Sequence, residues 1–268
     1  MRLLARLCVF LALLCGAGAQ AAVSVDKFSA GGTGTNANVF NTTFFQNTTS
    51  DIATFINITA GATFLLVGVE FNQGGGTGGT LALTWDQGGT NQSMTSLGSP
   101  VLNSNVGDAI QYFGLVNPTS GNKTLRVTNS GNTFGNLGAE IWGMSFNGTA
   151  TASVAAATEG YATNTDGGTA GTALTVSSAV SIPSGDMAVT QWIDTTSMTT
   201  FPTDSGTLGD NTFSGFYVYE YYNGAGSVIN SSATLATSGF WTGMIVGIKA
   251  AGAAATCPMT RSLMGVGC

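Results

Sequence analysis

Ala62-Thr63-Phe64-Leu65-Leu66-Val67-Gly68-Val69-Glu70-Phe71 is an apolar run too short for a stable surface helix and rich in residues that favour strands. A glycine-rich stretch over 74–79 follows it, and then Thr80-Leu81-Ala82-Leu83-Thr84-Trp85, where Leu81, Leu83 and Trp85 fall on one face of a two-residue period. Similar runs continue outward: Ala109 to Val116, stopped by Asn117-Pro118; Lys123 to Thr128; Ala139 to Phe146; Ala173 to Ile182; Met187 to Ile193; Gly215 to Tyr222; and Trp241 to Ala250. Val23 to Phe28, Ile52 to Ile58 and Ser232 to Leu235 are weaker strand signals. No helical periodicity of about 10–12 residues separates them. This predicts an all-β fold, a two-sheet antiparallel β-sandwich of jelly-roll type, with 22–251 as one domain. The small-residue stretch Ala150 to Gly171 reads as a long loop, with an interdomain linker as the alternative.

Composition narrows function. Of 268 residues 43% are hydrophobic and only 7% charged, with no histidine. A Ser-His-Asp triad, a Cys-His pair and a histidine metal site are therefore excluded. Seven basic against 13 acidic residues give a net charge of −6, which argues against nucleic acid as a partner.

The N-terminus combines Arg2 and Arg6, an apolar segment from Leu7 to Leu14, and the small-residue site Ala19-Gln20-Ala21. That is the pattern of a signal peptide over 1–21, and it predicts a secreted or surface-exposed product without a membrane span after cleavage. Lipidation at Cys15 is disfavoured by the bulk of Leu14. Cleavage removes Cys8 and Cys15, leaving Cys257 and Cys268 in a short tail, 252–268. Those two are expected to form a disulfide in an oxidising compartment, with a cross-link to a second chain as the alternative.

The order LLVGVEF, LTWDQGG, MTSLG, IQYFGLVNPTSGNKTLRVTNSG, AEIWGMSFNGT and WTGMIVGIKAAG resembles an uncharacterised family of secreted bacterial and phage-associated β-sandwich proteins, over Gly61 to Ala251. The resemblance implies a sandwich fold and a cell-surface or virion setting, and brings no catalytic residues. Its most specific part is Tyr112 to Thr128, read as a hairpin in which Pro118 ends one strand and Leu125 and Val127 return to the core. Asp86-Gln87-Gly88-Gly89 replaces the simpler Asn-Gly turn of the pattern, which implies a longer loop.

Three constellations are candidates for chemistry. In Phe216-Tyr217-Val218-Tyr219-Glu220-Tyr221-Tyr222, alternation puts Tyr217, Tyr219 and Tyr221 on one face. If that face is outward, it forms a stacking platform for glycan; the cost of burying Glu220 argues for the reverse. Asp204, Asp210 and Asp166 lie in Gly/Ser/Thr-rich loops and are candidate calcium ligands, although Asx turns explain them equally. A glycan-cleaving enzyme needs two carboxylates about 5–10 Å apart. Glu70 and Glu140 lie in strands, yet no two acids recur at the i, i+2 spacing that alternation requires. The expectation is a non-catalytic structural or adhesive protein at a cell or virion surface, able to self-associate or to bind another surface protein. A carbohydrate-binding module is the alternative.

Overall fold

The computed structural model describes residues 21–29, 38–40, 49–72, 80–103, 108–130, 139–194, 198–200, 207–212 and 217–252. Its strands are β1 (Ser24–Phe28), β2 (Asn38–Phe40), β3 (Thr49–Ile58), β4 (Phe64–Asn72), β5 (Thr80–Trp85), β6 (Gln92–Ser93), β7 (Thr95–Asn103), β8 (Asp108–Val116), β9 (Gly121–Ser130) and β10 (Ala139–Asn147). A one-turn helix α1 (Val154–Ala157) follows, then β11 (Thr158–Thr165), β12 (Gly171–Ser177), β13 (Met187–Asp194), β14 (Met198–Thr200), β15 (Thr207–Thr212), β16 (Tyr217–Asn223), β17 (Asn230–Gly239) and β18 (Trp241–Ile248). Among the described residues no helix is long and apolar enough to cross a membrane.

The fold is an all-β antiparallel sandwich, and its layering exceeds two sheets. Sheet 1 has the order β3-β9-β5-β6. Sheet 2 has β1-β10-β4-β8-β7, with β2 also paired to β10. Sheet 3 has β11-β18-β13-β16-β15, and sheet 4 has β12-β17-β14. Strand alternation explains the stacking. In β4, Leu65, Val67 and Val69 join Leu83, Trp85, Leu125 and Val127 of sheet 1, while Phe64 and Leu66 join Val189, Met244 and Val246 of sheet 3. On the far side of sheet 3, Trp192, Tyr222, Trp241 and Ile245 meet Leu174, Val176, Ala233 and Leu235 of sheet 4. Three apolar layers thus bind four sheets, as two sandwiches set back to back. Strands β13 and β18 are buried at every position because they are covered on both faces.

Two sequence readings change. The stretch 150–171 is not a plain loop: it contains α1, capped by the Ser153 hydroxyl accepting the Ala156 amide, and β11 at the edge of sheet 3, and its first residues lead from the sandwich of sheets 1 and 2 to that of sheets 3 and 4. The segment Tyr112 to Thr128 is not a hairpin. Strand β8 pairs with β4 and β7 in sheet 2, whereas β9 pairs with β3 and β5 in sheet 1. Asn117, at φ 51°, and Pro118 turn the chain from one layer to the other, so that Leu125 and Val127 face Phe113 and Leu115 across the core.

Candidate functional site

The tyrosine strand occupies the middle of the stack. In β16, Tyr217, Tyr219 and Tyr221 stand opposite Ile193, Gln191 and Val189 of β13. Tyr219 is 3% exposed, and its ring stacks on Trp142 of sheet 2 with centroids 4.3 Å apart and planes 14° apart. Tyr221 is half-buried against Phe28, at 5.8 Å. Of the two orientations that alternation allows, Tyr219 and Tyr221 thus take the inward one, at the interface between the sandwiches. The other face is closed as well. Glu220 is 2% exposed and accepts the Tyr222 hydroxyl at 2.7 Å, and that hydroxyl lies 2.9 Å from the hydroxyl of Ser231. Burial of Glu220 is offset by this hydrogen bond.

The same interface carries a polar frame. Trp142 Nε1–H donates to Gln191 Oε1 at 2.9 Å, and the Tyr112 hydroxyl lies within reach of the carbonyls of Val189 (3.2 Å) and Met244 (3.3 Å). Trp142 lies over Gly68, its register partner in β4, where a Cβ would collide with both the indole and Gln191. Trp192 uses Gly243 of β18 in the same way. All four tryptophans are buried, as core packing requires.

Register also pairs two acidic residues that spacing along the chain keeps apart. Glu140 of β10 stands directly opposite Glu70 of β4, and such partners have Cα atoms about 4.5–5.5 Å apart. Glu70 is 1% exposed and lies on the face that sheet 3 covers, closed to a polymeric substrate. No spacing signal within either strand announces the pair, because its partners come from strands far apart in sequence.

Of the calcium candidates, Asp166 is used by its own turn: Oδ1 accepts the Gly168 amide at 2.7 Å and Oδ2 the Trp241 amide at 3.1 Å. Asp210 lies in β15 opposite Tyr219. Asp204, Cys257 and Cys268 fall outside the described residues. Among the described residues no three His, Cys, Asp or Glu side chains gather as a metal group. The extended loop at Asp86 closes on itself. Asp86, at φ 54°, accepts the Thr90 amide (3.0 Å) and the Thr119 hydroxyl (3.1 Å), with Lys123 Nζ at 3.4 Å. The Thr90 amide above all holds this carboxyl below the usual carboxylate range, against the burial that opposes it. Gln92 ties the loop to the β8–β9 crossover, donating to Asn117 O at 3.0 Å and accepting the Thr119 amide at 2.8 Å.

The two outermost faces remain as open surface. On sheet 1 the register aligns Asp51-Arg126-Thr84-Ser93, Thr49-Thr128-Ala82 and Ser130-Thr80, with one bidentate ion pair, Arg126 to Asp51, at 2.7 Å. On sheet 4 it aligns Ala173-Thr234, Thr175-Ser232 and Ser177-Asn230, without a charge. Their intervening neighbours, Leu81, Leu83, Leu174, Val176, Ala233 and Leu235, point into the cores. These features define the class: a four-layer antiparallel stack with short hydroxyl and amide side chains on both ends. No protein-family model matches the chain, and no curated protein matches it either.

Proposed function

We propose that this chain is an exported structural or adhesive module of a cell or virion surface, acting through the end faces of its stack. The observation that carries the reading is the contrast in chemistry. The central strands β13 and β18 are buried on both faces, and the outer faces present Thr, Ser, Asn and Ala in register with a single ion pair between them. Short, β-branched hydroxyl side chains on a pleated surface offer many shallow hydrogen bonds at little entropic cost, which suits a repetitive surface. Patches without charge also carry little electrostatic repulsion between copies.

The test places charge on one face. The triple variant Thr175→Lys, Ser232→Lys, Thr234→Lys is expected to fold like the parent, as judged by circular dichroism. It is also expected to lose retention on the envelope or particle fraction of the source culture. Undiminished retention sinks the sheet 4 reading. A glycan array run with calcium and with chelator then separates a protein contact from carbohydrate binding.

A further inference from the structure

We propose that a water molecule is bound inside the sandwich of sheets 3 and 4, where it bridges β13 to β16 by accepting the Trp192 indole N–H, donating to the Glu220 carboxylate and bonding to the Thr190 hydroxyl. This internal site is independent of the surface reading above. Two enclosed polar groups point to it. Thr190 and Trp192 are each 0% exposed, and among the described residues neither Thr190 Oγ1 nor Trp192 Nε1 has a hydrogen-bond partner. Buried polar groups in folded proteins are nearly always hydrogen-bonded, and an orphan of this kind marks a place where a water or an ion serves it.

Alternation and register bring the groups together. Thr190 and Trp192 are two residues apart in β13 and share one face, on which Trp192 packs with Leu174, Ala233 and Leu235 of sheet 4. Thr190 stands directly opposite Glu220 of β16, and such partners have Cβ atoms about 4.5–5.5 Å apart, a gap that one bridging water spans. The indole is turned to suit. Its six-membered ring lies over Gly243 of β18, so Nε1, on the other edge of the ring system, faces away from that strand. Glu220 accepts the Tyr222 hydroxyl, and a carboxylate with about four acceptor positions has capacity for a water besides. Sheet 4 covers the row with Ser231 and Ala233, the shortest of the described side chains on its inner face. Asp194, also buried, ends the row on the same face of β13.

The chemistry of the row selects its occupant. A metal ion is a poor fit, because the indole nitrogen is a donor only and would turn its hydrogen toward the cation. An anion would meet the Glu220 carboxylate. What fits must offer a lone pair to Trp192 and a hydrogen to Glu220 from one small centre, and water does both. Its partners here, one indole, one hydroxyl and one carboxylate, are the usual complement of a buried water. The site also bears on how Glu220 is tolerated inside. No strand of sheets 3 and 4 contains lysine or arginine, so within these strands the carboxylate is solvated by hydrogen bonds, and the water adds to the one from Tyr222.

A high-resolution crystal structure of the full chain tests the site directly. An ordered water within hydrogen-bonding distance of both Trp192 Nε1 and the Glu220 carboxylate is expected. A Thr190 hydroxyl bonded straight to Glu220, or an indole N–H lying against carbon with no water beside it, overturns the proposal. Thr190→Val supplies the test in solution, since it keeps the shape of the side chain and removes the hydroxyl. A hydroxyl that holds a water is lost at a cost, so the variant should have a lower urea midpoint than the parent. An idle buried hydroxyl is better replaced by a methyl group, and a midpoint equal to or above that of the parent overturns the role of Thr190. The crystal structure concerns the parent chain and decides the site even where the variant does not fold.

Discussion

Sheets 2 and 3 differ from sheets 1 and 4 in what alternation means. In β5 and β12 every second residue is apolar and the rest reach solvent, the pattern of a sheet with one wet face. In β4, β13 and β18 the pattern collapses into continuous burial, because each inner strand serves two cores. The lesson concerns tolerance. An outer strand such as β5 can change half its side chains without touching a core, and β13 or β18 can change none. The inner pair sets how the two sandwiches sit together.

Four expected outcomes test that division, from the most damaging to the least. Trp142→Ala removes a buried indole, its stacking on Tyr219 and its hydrogen bond to Gln191. It should cost about 3–5 kcal/mol in urea unfolding, and an effect below about 1 kcal/mol would mean that the interface is not a packed core. Next comes Tyr222→Phe, which deprives the buried Glu220 of a donor. A loss of about 1–3 kcal/mol is expected, and a neutral result would show that another donor serves the carboxylate.

Two acids should then move the pH profile in opposite senses. Asp86 is held below its usual range, so its contribution is present above the unfolded value near pH 3.9 and is lost as pH falls through its lower folded value. Glu159 is held above its usual range, so the folded state binds its proton more tightly. Stability then declines as pH rises from about 4.3 through the folded value. Asp86→Asn should flatten the acid limb and Glu159→Gln the decline above it, measured as urea midpoints from pH 3 to 8. Identical profiles for parent and variants would remove both acids from the account. The smallest effect belongs to the outer faces: Thr175→Ala or Thr128→Ala should stay within about 0.5 kcal/mol of the parent.

Much of the fold was legible in the sequence, and what was hidden has physical causes. The runs beginning at Phe64, Thr80, Met187 and Trp241 announce strands because their apolar residues are dense and turn residues bound them. Strand β7 was missed because Gly98, at φ 80°, and Pro100 interrupt it at a register shift between Leu97 and Val101. Strand β11 was missed because its bulge around Gly160 breaks the alternation in a small-residue segment. Alternation sets Tyr219 apart from Glu220 and Tyr222, yet all three are buried, since a single strand does not reveal how many layers cover it. The pairing of Glu70 with Glu140 was invisible for a related reason: register is a property of two strands, and spacing within one strand does not carry it.

Tyr112 gives the seam a built-in optical gauge. Its ring is fully enclosed, its hydroxyl faces two carbonyls of the opposite sandwich, and burial first, then Glu70 and Tyr161, hold its ionisation well above the ordinary phenol range. While the sandwiches stay together this phenol remains neutral in alkali that ionises an exposed tyrosine. Once they part, it turns to phenolate near pH 10 and its ultraviolet band moves to longer wavelength. An absorbance ramp in mild alkali therefore registers the loss of this seam, whether the two halves part or one of them melts.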